Sequence, residues 1–122
     1  MALYFGGIIG VSALLIEENN MNQKTFLKHM EAGFAKNLDI ARAKNADYSV
    51  DDDAFQNFRA CTAFGIPVEI GILVRMTDKM TRISNLLNKE ANVKDETIAD
   101  TIADLSNYAM ILKVYVEHEK KK

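Results

Sequence analysis

Four charged side chains on one stretch and three polar ones on another fall at spacings that bring like groups together on a helix. At ~100° per residue, Arg75, Asp78, Lys79 and Arg82 share one quadrant of a helix, and Asp100, Asp104 and Asn107 share one quadrant of a second. Guanidinium forks grip phosphate oxygens bidentately and a lysine adds a mobile point charge, so the first set is suited to an anion. The second set carries carboxylates one turn apart. Like charges at that spacing repel by a few tenths of a kcal/mol, so a partner is expected: a Mg²⁺ ion, or the cations of the first set. Side by side, the two flanks would frame a cleft for a phosphate and a divalent ion, with Asp78, Asp100 and Asp104 as metal ligands. A ladder of salt bridges between the two helices is the equally weighted alternative from charge patterning alone.

A second group lies upstream. Lys44 offers one more cation for phosphate. Asp47, Tyr48, Asn57 and Phe58, with Asn107, supply an aromatic ring and polar groups of the kind that hold a base or sugar. Glu69 falls within an apolar stripe but also in a first helical turn, where a carboxylate serves free backbone N–H groups, and that role is preferred to metal ligation. Asp51, Asp52 and Asp53 lack the glycine and terminal glutamate of a calcium loop and read as helix caps. Cys61, the single cysteine, sits in an apolar helical pattern and reads as a buried small hydrophobe. Neither His29 nor His118 has a companion at zinc-ligand spacing.

These groups need elements to carry them. From Asn22, Phe26, Leu27, Met30, Phe34, Leu38 and Ala41 recur at three- and four-residue spacing, predicting a helix to about Ala43. A shorter helix through Phe55, Phe58, Cys61 and Phe64 stops near Gly65. Pro67 opens a third, whose stripe is Ile72, Leu73, Met76, Met80, Ile83 and Leu87. A fourth begins near Asp95 or Glu96 and is expected to bury Ile98, Ile102, Leu105, Ala109, Leu112 and Val116, with Ala99, Ala103, Ser106, Lys113 and Glu117 toward solvent. The cations of its closing HEKKK suit a helix C-terminus. The expectation is an all-α, antiparallel bundle of about four helices over residues 21–122. Residues 1–20 form an apolar arm, extended or strand-like around Tyr4 to Ile9. That arm is too short and too interrupted by glycine for a spanning helix and lacks the positive start of a signal peptide.

The chain has 122 residues and a formal net charge of −2, which gives no global attraction for DNA or RNA; any anion site must be local. The expected partners are a small nucleotide-derived molecule and further copies of the chain, with neither membrane nor nucleic acid.

The motifs KNADY (44–48), AFQNFR (54–59), GIPVEIGILVRMTDKMTRISNLL (65–87) and VKDETIADTIADLSNYAMI (93–111) occur in an order that resembles the phage and bacterial family called nucleotide modification associated domain 1. The resemblance spans roughly residues 24 to 117. It implies a phage-encoded helical protein acting on nucleotides in the cytoplasm of a bacterial host. ETIADTIADLSNYAMIL is also similar to the second acidic helix of the MazG-like all-α nucleoside triphosphate pyrophosphatases, whose acidic residues bind Mg²⁺; Asp104 matches the last aspartate of that helix. Those enzymes carry a closely spaced glutamate pair on a preceding helix, where this chain has Arg75, Asp78, Lys79 and Arg82. Three expectations follow: nucleotide binding with Mg²⁺-dependent phosphoanhydride cleavage, non-catalytic sequestration of a nucleotide second messenger that suppresses host defence, or a structural interaction module.

Overall fold

The computed structural model describes residues 20–48, 52–88 and 95–120. All but Asn20 of the apolar arm lies outside them. The described elements are α1 (Gln23–Tyr48), α2 (Gln56–Arg59), a 3₁₀ turn (Ala60–Phe64), α3 (Val68–Asn88), α4 (Asp95–Val114) and a closing π turn (Tyr115–Glu119). There is no strand among the described residues, and the architecture is an all-α bundle of four helices. The chain divides into two compact units at Phe34/Ala35.

In the first unit, Asn22 caps α1: its Oδ1 accepts the Thr25 N–H at 2.8 Å, satisfying a donor of the first turn. The apolar row predicted for this half of the helix is present but open, with Phe26, Leu27, Met30 and Phe34 all exposed.

The second unit holds the rest. α1 runs to Tyr48, five residues past the predicted end at Ala43, and so carries Lys44 on a helix rather than a loop. Its second half is tied to α4 by polar side chains: Asn37 Nδ2 donates to Ser106 Oγ at 3.2 Å, and Asn107 Nδ2 donates to the Asn37 carbonyl at 3.1 Å. Ser106, expected in solvent, is thereby half-buried. α3 and α4 run antiparallel, because Lys79 meets Asp104 while Glu69, ten residues earlier, meets Lys120 beyond the end of α4.

α2 is shorter than its sequence pattern. After Arg59 the backbone tightens into the 3₁₀ turn and stops at Gly65, whose φ of 78° lies in the left-handed region where glycine carries no Cβ penalty. Gly65 and Ile66 return their N–H groups to Thr62 and Cys61, and α3 leaves at 107° to the α2 segment. Phe55, rather than an aspartate, occupies the N-cap of α2. Asp53 instead accepts the Phe55 N–H at 3.1 Å; Asp51 lies outside the described residues. Cys61 is half-buried, not fully buried, and its Sγ sits where a Cβ on Gly71 would approach to 2.7 Å. Only a glycine lets α3 pass this close to the 3₁₀ turn.

The core is small. Ile72 is fully buried, with Val68 and Phe55 beside it in burial and Thr101 at 5% exposure. The α3 face that closes on α4 is Ile72, Met76, Lys79, Ile83 and Leu86, so Leu73, Met80 and Leu87 of the predicted stripe are exposed. On α4, Thr101 is buried, whereas Ile102 and Ala109 are exposed, as is Val116 in the π turn beyond it: the helix is turned by about one residue from the predicted register. Apolar side chains occupy more of each helix's circumference than one neighbour covers. No single helix among the described residues is long and apolar enough to cross a membrane.

Candidate functional site

The second half of α1, the turn before α2, α2 itself, α3 and α4 enclose a cavity of about 450 Å³. Lys44, Asn45, Asn57, Phe58, Arg75, Asp104, Asn107 and Tyr108 line it, with Ala41, Ala54 and Ile111 between them. A volume of this size suits a small-molecule ligand, as does the lining of apolar walls with a few convergent polar groups. A second depression of about 620 Å³ adjoins it, and Arg75 and Tyr108 belong to both. Asp78, Lys79, Thr81 and Arg82 line this second lobe.

Asp104 is the electrostatic centre. Its Oδ1 takes the Lys44 ammonium at 2.9 Å and its Oδ2 takes the Lys79 ammonium at 3.1 Å, so one carboxylate joins α1, α3 and α4. Burial works to raise its pKa, but the two lysine hydrogen bonds outweigh that and hold the carboxyl below its usual range. The Lys79 pair is one rung of the salt-bridge ladder that charge patterning allowed. Arg75 and Arg82 do not extend the ladder; among the described residues neither has a hydrogen-bond or ion-pair partner. Arg75 therefore brings an uncompensated guanidinium to the seam between the lobes.

Phe58 and Tyr108 form the aromatic wall, edge to face with ring centroids 6.2 Å apart and planes at 85°. Asn107 is oriented by its bond to the Asn37 carbonyl, which leaves its Oδ1 and second N–H for a ligand. Asn57 adds another amide. The lining thus combines aromatic faces, amide groups and a guanidinium in one cavity.

Of the predicted site residues, Lys44, Asn57, Phe58, Arg75, Asp104 and Asn107 meet in the first lobe, and Asp78, Lys79 and Arg82 in the second. The side chains of Asp47 and Tyr48 lie outside the described residues. Asp100 is exposed and Asp78 likewise. No group of three His, Cys, Asp or Glu side chains suited to a metal ion occurs among the described residues. Because both Asp104 oxygens are taken by ammonium groups, these residues do not fit a resident Mg²⁺ site. Tyr108 and Asn45 are cavity residues that the sequence reading did not single out. Tyr108 follows Asp104 by four residues, the same-face spacing that would have marked it.

Away from the cavity, a second set of ion pairs fastens the end of the chain. Arg59 Nε binds Asp53 at 2.7 Å and its guanidinium reaches Glu119 at 3.7 Å, while Lys120 binds Glu69 at 2.7 Å. Glu69 thus meets a lysine as well as serving the first turn of α3. Phe55 stacks edge-on against Tyr115, ring centroids 5.2 Å apart. This clasp holds the π turn against α2 and α3. No family model, no curated protein and no solved structure matches the chain, so the chemistry of the site rests on its own residues.

Proposed function

We propose that the chain binds a phosphorylated nucleotide or nucleotide derivative in the cavity beside Asp104 and holds it without turnover. The observation that carries this reading is the meeting, in one cavity, of an unpartnered Arg75 with the Phe58 and Tyr108 rings and the Asn57 and Asn107 amides. Arginine supplies charge-assisted bonds to phosphate, and the rings and amides supply the face and edge contacts a base requires. The resemblance of the ordered motifs to nucleotide modification associated domain 1 prompts the same reading, while no family model matches the chain.

Two-metal phosphate cleavage asks for carboxylates that hold ions ~3.5–4 Å apart. Asp104 is engaged by two lysines, and Asp78 and Asp100 stand exposed. Mg²⁺ enters the proposal only as an ion carried by the nucleotide's own phosphates. Self-association belongs to the proposal too. Phe26, Leu27, Met30 and Phe34 present an open apolar row on α1, of the kind that further copies of the chain would cover.

The test is to incubate the protein with a panel of linear and cyclic nucleotides and Mg²⁺, then chromatograph the small molecules before and after heat denaturation. Sequestration returns the ligand intact only after heating. New products would replace this reading with the hydrolytic one, and a panel that is neither held nor changed would leave the interaction module. Light scattering on the same sample reports the number of copies.

A further inference from the structure

The Asp104 clamp is a costly way to build an anion site. Lys44 and Arg75 are the cations that line the first lobe, and Asp104 places a carboxylate beside them, bonded both to Lys44 and to Lys79 of the adjoining lobe. A cavity selected only for phosphate affinity would leave those ammonium groups to the ligand. Asp104 is only about one-quarter exposed, so its charge is screened less than that of a surface residue.

We infer that Asp104 is a specificity-determining residue: its carboxylate offsets the charge of the Lys44 and Lys79 ammonium groups and repels a bare phosphate, so inorganic phosphate is disfavoured while a nucleotide is still held. This rests on the nucleotide reading of the cavity. Phosphate entering the lobe meets ammonium groups whose charge Asp104 already offsets through bonds of 2.9 and 3.1 Å, and it must sit beside that fixed negative charge, with Arg75 as the cation that has no partner among the described residues. It has nothing further to gain. A nucleotide meets the same repulsion but also covers the Phe58 and Tyr108 rings and bonds the Asn57 and Asn107 amides, contacts that do not depend on the lysines. Without that carboxylate, the same cations would attract inorganic phosphate as readily as they attract the phosphates of a nucleotide.

The discrimination acts through charge, and its readout is therefore a ratio of affinities rather than a stability. Titration calorimetry at fixed ionic strength compares wild type, Asp104→Asn, Asp104→Glu and Lys79→Met. The probes are inorganic phosphate, pyrophosphate and the nucleotide retained best by the wild type, or ATP if none is retained. Asp104→Asn is expected to bind phosphate and pyrophosphate at least tenfold more tightly than wild type, with a smaller gain for the nucleotide, so that the preference for nucleotide over phosphate narrows. Asp104→Glu, which keeps the charge, is expected to restore most of the discrimination. Lys79→Met, which leaves the carboxylate with one ammonium fewer, is expected to weaken phosphate binding further, and it keeps the inference testable if Asp104→Asn does not fold. Unchanged or weaker phosphate binding in Asp104→Asn overturns the inference, as does equal gain in Asp104→Glu or tighter phosphate binding in Lys79→Met. Failure of the wild type to bind any nucleotide is a separate result that sinks the reading of the cavity, and the phosphate arms still decide the role of Asp104.

Discussion

Two ion-pair networks in the second unit use the same chemistry for different ends. At the C-terminal clasp, Asp53 and Glu119 share Arg59, and Glu69 pairs with Lys120, so each described charge is answered within the network. At the cavity, Asp104 answers Lys44 and Lys79 but leaves Arg75 over. The clasp closes two elements against each other, and an aromatic pair, Phe55 with Tyr115, fills the space beneath it. The cavity's aromatic pair, Phe58 with Tyr108, forms a wall instead. A network that balances its charges against a packed ring staples the fold. One with a surplus cation beside open space is, on the proposed reading, the one that receives a ligand. If that contrast is right, the two regions separate stability from binding, and substitutions should sort accordingly.

The largest effect is expected on the staple side. Ile72 is fully buried, in a core with few other buried side chains among the described residues. Ile72→Ala should lose about 2–5 kcal/mol of folding stability, read by urea denaturation, because the surrounding side chains close over a deleted branch only in part. Any loss of ligand binding should vanish once the unfolded fraction is accounted for. Intact stability in this variant would mean that the core lies elsewhere.

Arg75→Ala comes next and reverses the pattern. Loss of a charge-assisted phosphate contact should weaken nucleotide binding by about 1.5–3 kcal/mol, roughly 10- to 150-fold, with the denaturation midpoint little changed. Arg75 has no ion pair to lose among the described residues, so a large fall in stability with unchanged affinity would move Arg75 from the ligand's side of the comparison to the staple's.

These contrasts also mark what could be read from the sequence. The four helices and the gathering of Arg75, Lys79, Asp104 and Asn107 follow from helical spacing, because charges that flank an apolar stripe stay near whatever the stripe packs on. Lys44 reaches Asp104 across sixty residues, a pairing that no local pattern encodes. The register of α4 was not legible: Ile102 and Thr101 both lie within reach of an apolar face, and Thr101 is the one inside. Apolar periodicity marks a face as coverable without saying whether the same chain covers it, which is why Leu73, Met80 and the α1 row stand open. The division of α2 into four α-helical residues and a 3₁₀ turn follows from the closeness of Gly71 to Cys61, a contact between segments that the pattern of either one does not contain.

Arg59→Gln should have a smaller effect than either. Arg59 and Asp53 are each about two-fifths exposed on their side chains, so solvent screens the pair and side-chain ordering offsets part of its attraction. A loss of at most about 1 kcal/mol is expected by urea denaturation. Nucleotide affinity should stay within twofold of wild type, since Arg59 is outside the cavity lining. A tenfold loss of affinity would show that the clasp sets the position of the neighbouring Phe58, and the two regions would then be one device.

The smallest effect is the acid limb of stability, and its sign is fixed by direction. The Arg59 hydrogen bond, then the Phe55 N–H, hold the Asp53 carboxyl below its usual range; the Lys120 hydrogen bond, followed by a backbone one, does the same for Glu69. A carboxyl whose folded pKa is depressed contributes stability that is fully present above its unfolded value, about pH 4, and that is lost as pH falls through the folded one. Wild-type melting temperature should therefore decline below about pH 4. In the Arg59→Gln, Lys120→Gln double variant the cationic partners Arg59 and Lys120 are gone and the backbone bonds remain, so its melting temperature should lie slightly lower at neutral pH and decline less steeply. The two curves should converge toward the acid end, once the carboxyls are protonated in both proteins and the wild type has lost its advantage. Curves that run parallel to the acid end would show that these pairs make no pH-linked contribution, and the clasp would then be held by Phe55 and Tyr115 rather than by its charges.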